Sequence, residues 1–403
     1  MHVVHLVSSG QLGGTEASLL EIIESLRRAH PDWAFRVVAP EDGPLVQRLA
    51  AMGVPIDVLA FPPALAQAGE AGRVASFSGR LRLGADLLRA AAGVWRYRER
   101  LMSQLVEHGA IDVVHAHGFK MQVLAALAAP AGTLLVWHVH DYVSSRPLSA
   151  RLLRCLASRC ALVVANSWSV AEDVRRVLGT GARVETVYNA IDLARFTPDG
   201  PVLDLDRLGG ADPPPAGTIR IGLLGAFGRW KGHRTFLRAV SALRDISIRA
   251  YVIGGAQYQT RGSQETLDGL RGVSRELDLD ARVVFTGPVK DAAAALRALD
   301  IVVHASTEPE PFGMVIAEAM ACGRPVIVSR AGGAAELVED GVDGVGHSPG
   351  DAAQLAERLR ALVLDPALRQ RLGAAARQSA VRRFDRNRLA VQIGPLYEIS
   401  KPA

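Results

Sequence analysis

The sequence predicts an α/β protein with two doubly wound parallel sheets. Short apolar segments alternate with amphipathic helical patterns along most of the 403 residues, which is typical of parallel sheets covered by helices on both faces. The alternation stops once, over residues 198–218, and then restarts. Hydrophobic residues make up 49% of the chain and aromatic residues only 5%, so aliphatic side chains should dominate the two cores.

The first domain is predicted over residues 1–197. Its apolar runs predict strands at 2–7, 35–39, 56–59, 112–115, 134–137, 162–165 and 184–187. Helical patterns lie between them, including 15–29 and 167–178. The N-terminal run is too short for a signal peptide and lacks a basic leader, so we interpret it as the first strand.

A linker is predicted over residues 198–218, because this stretch is rich in proline and glycine. The second domain follows over 219–383, with strands at 220–224, 248–253, 283–286, 301–304 and 325–329. Residues 384–403 contain a last helix at 387–399, which Gly394-Pro395 should kink or interrupt.

Charge and cysteine content exclude several classes of protein. The net charge of +5 is small and scattered, so it does not predict nucleic-acid binding. Cys155, Cys160 and Cys322 match no metal or redox spacing, which favours free thiols in the cytoplasm. No apolar run reaches the 18 residues or more typical of a membrane-spanning helix.

The segment 60–108 is longer than an ordinary connection, and residues 73–100 within it are rich in arginine, with Trp95 and Phe77 between them. One interpretation is a basic surface for peripheral contact with a membrane. The other is one or two helices packed on the first domain with a solvated arginine face, and this second interpretation is the one we favour.

Two glutamates, Glu310 and Glu318, flank the start of a predicted helix in the second domain. Pro311 suits the first turn of that helix, and Gly323 suits its end. At about 1.5 Å per residue the two carboxylates lie on the order of 10 Å apart. The helix N-terminus between them attracts anions. This arrangement suits a ligand with hydroxyls at both ends and phosphates in the middle, such as a nucleotide-sugar.

The glutamate pair resembles the Glu-x7-Glu signature of family 4 retaining glycosyltransferases, which have the GT-B fold. Other landmarks of that family occur in the expected order; they are 13–16 (GGTE), 137–141 (WHVHD), 188–192 (YNAID), 225–232 (from Gly225 to Lys231-Gly232) and 285–287 (FTG). The resemblance implies two Rossmann-like domains that face a central cleft, the first on the acceptor side and the second on the donor side. It also implies that the C-terminal helix crosses back to the first domain.

The resemblance implies roles for the glutamates. Glu310 would bind hydroxyls of the donor sugar, and Glu318 would bind the ribose. Ionised carboxylates are strong acceptors for such hydroxyls. Backbone amides in the same segment would also face the donor, and these belong to Phe312, Gly313, Met314 and Val315. The alternative is an exposed helix glutamate preceded by an acid that the helix dipole favours.

Cationic residues are needed beside a diphosphate. Lys231 is the best candidate, since it follows the first strand of the second domain and precedes a helix. The family usually has an arginine where this chain has Ala226. Arg229 is the candidate for the missing charge, and its alternative is an exposed loop cation.

Glycines and histidines are the candidates in the first domain. Gly13 and Gly14 form a turn between strand and helix that suits a close approach of phosphate or sugar. The resemblance places Gly14 near the donor phosphates and acceptor, with Gly13 and Glu16 on the acceptor side. The alternative is a tight turn that binds no ligand.

The resemblance also places a histidine, His140, beside the donor sugar, and Asp141 is a candidate to orient its ring. His138 should point to the same side of the strand and competes with it for this role. His115 and His117 are candidates for the acceptor side. A zinc pair there is disfavoured because no third ligand is evident, and no metal is expected.

Together these features predict a retaining glycosyltransferase that needs no metal or other cofactor and uses a UDP- or GDP-sugar as donor. The acceptor would be a hydroxyl of a glycan, a lipid-linked molecule or a small molecule, and front-face attack would let the leaving diphosphate take its proton. The alternatives are a non-catalytic nucleotide-sugar-binding partner or regulator, and a GT-B nucleotide-sugar epimerase. We expect a cytoplasmic protein, either free or peripheral at the membrane.

Overall fold

The chain folds into two compact units. The structure is a computed structural model that describes residues 1–67, 83–107, 109–256 and 264–399. Unit 1 comprises Met1–Ala190 and Arg386–Ala403, and unit 2 comprises Ile191–Asp385. The division therefore falls before the boundary predicted at residue 197.

Unit 1 contains a parallel sheet of seven strands. They are β1 (His2–Leu6), β2 (Ala34–Ala39), β3 (Ile56–Val58), β4 (Val113–His117), β5 (Leu134–Val139), β6 (Leu162–Ala165) and β7 (Val184–Thr186). The helices are α1 (Gly14–Ala29), α2 (Pro44–Ala51), α3 (Pro63–Gln67), α4 (Leu83–Glu107), α5 (Phe119–Ala128), α6 (Pro147–Leu156) and α7 (Trp168–Leu178). The strand order is β3-β2-β1-β4-β5-β6-β7, so the order reverses between β1 and β4. An apolar core covers each face of the sheet.

Unit 2 repeats this arrangement with six parallel strands. They are β8 (Ile219–Leu224), β9 (Ile248–Ile253), β10 (Val283–Gly287), β11 (Ile301–His304), β12 (Val326–Ser329) and β13 (Val345–His347). The helices are α8 (Leu205–Leu208), α9 (His233–Ser241), α10 (Leu267–Glu276), α11 (Ala292–Arg297), α12 (Met314–Ala321), α13 (Ala352–Leu364) and α14 (Pro366–Phe384). The order β10-β9-β8-β11-β12-β13 reverses between β8 and β11. The two predicted doubly wound sheets are therefore confirmed.

The last helix, α15 (Asn387–Ile399), returns to unit 1 and packs on α1. Its Tyr397 is buried in the core on that face of the sheet. The helix passes through Pro395 without a break, so the interruption expected there was wrong. Packing of its apolar face against unit 1 offsets the hydrogen bond that proline removes.

Two other details differ from the sequence prediction. The edge strand β13 was missed, because its three residues, including Gly346, form no recognisable apolar run. The ends of β4 and β5 extend further than predicted, to His117 and Val139, because histidine side chains are buried there in place of aliphatic ones.

The segment between 60 and 108 is described only in part, and residues 73–82 of the predicted basic surface lie outside the described residues. The described end of α4 packs into unit 1 through Tyr97, Leu101 and Leu105. Trp95 lies on the opposite side and is 62% exposed. Among the described residues, no helix is both long and apolar enough to cross a bilayer.

The stretch 198–218 is part of unit 2 and not a free linker. Its short helix α8 buries Asp206, whose carboxylate accepts hydrogen bonds of 3.0 Å from the Arg220 guanidinium and the Tyr251 hydroxyl. Further along the chain, the Arg297 guanidinium donates to the carbonyl oxygens of Thr197 and Pro201. These contacts hold a proline-rich segment on the sheet, which its composition alone did not indicate.

Replacement of Asp206 should destabilise unit 2. In Asp206→Ala the partly exposed Arg220 and the buried Tyr251 lose their shared acceptor, so the free energy of unfolding should fall by about 3 kcal/mol. Urea denaturation followed by circular dichroism measures this loss. Asp204 is the matched control, because it only caps α8 at the exposed Arg207 N–H, and its replacement by alanine should cost about 1 kcal/mol. Equal effects of the two substitutions would contradict the buried role of Asp206.

Candidate functional site

In unit 2 the candidate residues lie after β8 and β11, the two strands between which the strand order reverses. Lys231 follows β8 in a 3-10 helix over Arg229–Lys231, and Glu310 follows β11. At such a reversal the connections leave to opposite sides and open a crevice at the carboxyl ends of the strands. The topology therefore brings Lys231 and Glu310 to the usual position of a ligand site.

Lys231 and Glu310 form an ion pair. The lysine Nζ donates to Glu310 Oε1 at 2.7 Å and to Oε2 at 2.8 Å. Backbone contacts fix the lysine, because the next residue, Gly232, has φ +73° and lies against the Ala305 carbonyl, which a Cβ would approach to 1.8 Å. Only glycine fits this position. An ammonium group has three N–H donors, so one remains for a ligand.

Glu310 also accepts a hydrogen bond from Ser306 Oγ at 2.9 Å, and His304 Nε2 lies 3.5 Å from the same carboxylate oxygen, Oε2. Burial alone would raise the pKa of Glu310, but Lys231 and His304 more than offset it, and the pKa lies well below its ordinary value. The sequence reasoning missed Ser306 and His304. Their signal was a polar residue at the carboxyl end of a buried strand.

Helix α12 begins directly after this pair. Its N-cap residue, Gly313, has φ +94° and offers no side-chain cap, so the amide groups of Met314 and Val315 lie at an uncapped helix N-terminus. Phe312 is buried and packs edge-to-face on Phe384 at 6.0 Å. The Phe312 side chain therefore fixes the start of α12.

Glu318 lies inside α12, and its carboxylate has no hydrogen-bond partner within the described part of the chain. Burial raises the pKa of Glu318 to about 7, and the nearby Arg195 offsets only part of this rise. Glu310 and Glu318 thus differ in their electrostatics. One carboxylate is neutralised by a fixed cation, whereas the other is desolvated and retains its capacity to accept hydrogen bonds from a ligand.

Arg229 is exposed, as expected for a loop cation, and its Nε lies 3.4 Å from the Gln264 carbonyl. Ala226, where the family usually has arginine, lies in the same connection after β8. No described contact joins Arg229 to Lys231, so a joint phosphate clamp stays a prediction.

In unit 1 the turn after β1 caps α1. Glu16 Oε2 accepts a hydrogen bond from the Gly13 N–H at 3.1 Å, and the side chain of Glu16 is buried. Glu16 thus has a structural role as a helix cap. Gly14 is the first helical residue and is exposed, so the backbone at this helix N-terminus is open to a ligand.

The predicted histidines of unit 1 all come together. His115 and His117 lie on β4, and His138 and His140 lie at the end of β5, with ring centroids of the last two 4.1 Å apart. A fifth histidine, His5 on β1, was not predicted, and its Nδ1 lies 3.2 Å from His117 Nε2. Its signal was a histidine in the interior of a mostly aliphatic strand.

Asp141 does not orient the ring of His140, contrary to expectation. The carboxylate of Asp141 accepts from the Tyr142 N–H at 2.8 Å and from Arg146 at 3.2 Å. His140 Nε2 instead lies 3.2 Å from His117 Nδ1. Strand alternation turns the His140 ring toward the face of the sheet, away from the loop in which Asp141 forms its hydrogen bonds.

Two family models match the chain. One, described as glycosyl transferases group 1, matches residues 212–379, and another, described as glycosyltransferase family 4, matches residues 44–195. D-inositol 3-phosphate glycosyltransferase 1 of Catenulispora acidiphila is 31% identical over 298 residues, which span 68% of this chain and 68% of the relative. The D-inositol 3-phosphate glycosyltransferase of Pseudarthrobacter chlorophenolicus is 30% identical over 292 residues, or 67% of this chain. The matched segment spans 66% of that relative, just under two thirds of its length.

A solved structure covers more of the chain. The crystal structure of Anabaena Alr3699/HepE in complex with UDP matches with a TM-score of 0.80 and 27% identity, over 99% of this chain and all of that one. The same protein has been solved in complex with UDP-glucose. The GT-B fold expected from the sequence is therefore confirmed.

Replacement of Glu318 should stabilise the protein in a pH-dependent way. The native state holds the Glu318 proton more tightly than the unfolded chain does, so the stability of the wild type falls as the pH rises from about 4.5 to about 7. Glu318→Gln lacks this loss, and its melting temperature should exceed that of the wild type at about pH 8, by an amount equivalent to about 1–3 kcal/mol. The difference should shrink toward about pH 5. Glu339→Gln, at an exposed position of unit 2, is the control, and a pH-independent effect of Glu318→Gln would contradict the desolvation of this carboxylate.

Proposed function

The chain belongs to glycosyltransferase family 4, and from this premise we propose that it transfers a sugar from a UDP-sugar to an acceptor hydroxyl. The relatives are named as glycosyltransferases, and the structural relative was solved with UDP and with UDP-glucose. The observation that carries the proposal is the group of Lys231, Glu310 and Glu318 around the N-terminus of α12.

Each of these residues matches one part of the donor. Glu318 accepts hydrogen bonds from the ribose hydroxyls, because its two carboxylate oxygens can accept from two donors and have no hydrogen-bond partner among the described residues. The third N–H of Lys231 and the amides of α12 bind the diphosphate. Glu310 accepts hydrogen bonds from hydroxyls of the sugar. Arg229 adds positive charge at the phosphates in place of the arginine lost at Ala226.

The reaction retains the anomeric configuration and proceeds on one face of the sugar. The bond between the anomeric carbon and the diphosphate oxygen breaks, and a bond from the acceptor oxygen to the same carbon forms. The acceptor proton passes to the leaving diphosphate oxygen. Lys231 and the α12 amides stabilise the charge that develops on the diphosphate. His140 and Gly14 of unit 1 are assigned to the donor by the family resemblance alone. No step of this proposal uses a metal or another cofactor.

The donor assignment can be tested by thermal shift and by turnover. UDP or a UDP-sugar should raise the melting temperature, by an amount equivalent to about 2.7 kcal/mol at 100 times its Kd. This increment should be lost in Glu318→Gln. Lys231→Met should slow the release of UDP from the donor by roughly 100-fold or more, because the leaving group loses its cation. Both quantities are measured with and without candidate acceptors.

Lys290→Met is the matched control, since Lys290 is an exposed lysine of unit 2. This variant should behave like the wild type in both assays. An equal ligand shift in Glu318→Gln would refute the ribose assignment. Stabilisation by UDP without turnover of any UDP-sugar would instead identify a non-catalytic nucleotide-sugar-binding partner.

We also propose that this enzyme is cytoplasmic and makes peripheral contact with anionic membrane through the outer face of α4. The sequence alone favoured a solvated arginine face here, and the exposed tryptophan on this helix is what supports the membrane interpretation. Trp95 and Arg96 are exposed on that face, and the Arg98 guanidinium lies 4.8 Å from the centre of the Trp95 ring. Tryptophan favours the lipid headgroup region, and each arginine near an anionic surface adds about 1 kcal/mol of attraction. Such contact would bring the enzyme to a lipid-linked acceptor.

Vesicle flotation tests this contact. The protein should float with phosphatidylglycerol-containing vesicles at low salt, and not with pure phosphatidylcholine. Trp95→Ala and Arg96→Gln should each reduce the bound fraction. Trp168→Ala is the control, because Trp168 is 59% exposed on a different helix of unit 1. An equal reduction of the bound fraction in Trp168→Ala would refute the proposed surface, and so would a wild type that does not bind anionic vesicles.

A further inference from the structure

Five of the histidines of unit 1 form a regular array on one face of the sheet; they are His5, His115, His117, His138 and His140. His5 pairs in register with His115 across β1 and β4, and His117 pairs in register with His138 across β4 and β5. His140 follows two residues after His138, so alternation turns it to the same face. Strand pairing therefore places five imidazoles side by side at the carboxyl ends of three strands.

Several ring nitrogens in this array have no hydrogen-bond partner among the described residues. Both nitrogens of His138 are buried without a hydrogen bond among the described residues, and so is Nδ1 of His140. A buried polar atom left without a partner costs about 1–3 kcal/mol. A chain of neutral histidines that bond to one another explains the contacts of His117, but it leaves His138 unexplained.

The distances suit a shared metal ion. The ligating nitrogens of His117, His138 and His140 all lie within 4.8 Å of one another, and His117 Nδ1 lies 3.2 Å from His140 Nε2. Two imidazole nitrogens on a tetrahedral zinc ion, each about 2.0–2.1 Å from the metal, are about 3.3 Å apart. The spacing across the empty site is thus close to the edge of a zinc tetrahedron.

We propose that His117, His138 and His140 bind a divalent transition-metal ion, with Zn²⁺ as the ion that fits best. Imidazole nitrogen is a preferred ligand of zinc, and three histidines with one open position form a known type of zinc site. The open position would be taken by water or a hydroxyl group. This site lies outside the proposed donor contacts in unit 2, and its existence does not depend on them. It does use His140, which the family resemblance assigns to the donor, so a bound ion would take that histidine in place of the donor contact.

The surroundings favour this set of three. A ligating histidine usually has a partner for its second nitrogen, and His117 Nε2 lies 3.2 Å from His5 Nδ1, which serves as that partner.

A second group of three, His5, His115 and His117, also has the spacing of a metal site. We disfavour it because all three rings are fully buried, which leaves an ion no path to enter. His140 in the preferred set is partly exposed, which provides a path for the ion to enter.

The test measures metal binding and not transfer. Purified protein is stripped with a chelator and titrated with Co²⁺, then with Zn²⁺. One equivalent of Co²⁺ should bind with the visible absorption of a tetrahedral or five-coordinate site, and Zn²⁺ should displace it. X-ray absorption at the zinc edge of the wild type should show three imidazole nitrogens at about 2.0 Å. This last measurement needs no variant and so does not depend on how variants fold.

Variants then identify the ligands. His138→Asn and His140→Asn should each weaken Co²⁺ binding at least tenfold, whereas His115→Asn should retain it, with circular dichroism as the check on folding. If His115→Asn lost Co²⁺ binding and His138→Asn retained it, the metal would belong to the group of His5, His115 and His117, and the proposal would be overturned. Absence of a stoichiometric Co²⁺ complex in the wild type, or a zinc shell made of oxygen alone, would also overturn it.

Discussion

The reversal of strand order in each sheet is the constraint on which both groups of polar residues depend. In unit 1 the reversal lies between β1 and β4, and in unit 2 it lies between β8 and β11. Parallel strands end at the same edge of the sheet, and connections that diverge from a reversal leave that edge uncovered. Residues distant in sequence therefore meet there. Lys231 and Glu310 meet in this way, and so do His5 and His115.

The two glutamates show how one helix creates different environments for the same side chain. Glu310 precedes α12 and lies against Lys231, so its negative charge is compensated and its pKa is low. Glu318 lies further along the chain, inside α12, and its carboxylate forms no ion pair in the described structure. Burial therefore raises its pKa to about 7. A desolvated carboxylate lowers the stability of the free protein. Ligand hydroxyls that bond to it would recover part of that loss on binding, which is the usual trade between stability and function.

The array of five histidines in unit 1 illustrates the same trade between stability and function. Aliphatic residues at positions such as His115 and His138 would extend the core and leave no polar nitrogen unpartnered. The chain instead buries four imidazoles, leaves His140 partly exposed beside them, and places Tyr397 of the returning helix α15 against His115. An array that lowers stability in this way, at the edge where ligands bind, points to a role beyond packing.

The sequence by itself determined most of the secondary structure, the two parallel sheets and most of the candidate residues. Alternation of apolar strands with amphipathic helices is a local signal, and so is the run from Glu310 through the start of α12. It also identified His115, His117, His138 and His140 as pairs with a spacing of two residues.

Only the tertiary structure decided what these residues contact. The ion pair of Lys231 with Glu310 depends on which strands are neighbours, and so does the position of Ser306 beside it. The same holds for the two groups of three histidines that have the spacing of a metal site. The packing of 198–218 onto unit 2 depends in the same way on the distant Arg297 and Tyr251. Strand order and register are long-range properties, since they follow from the free energy of the whole sheet and not from any local pattern.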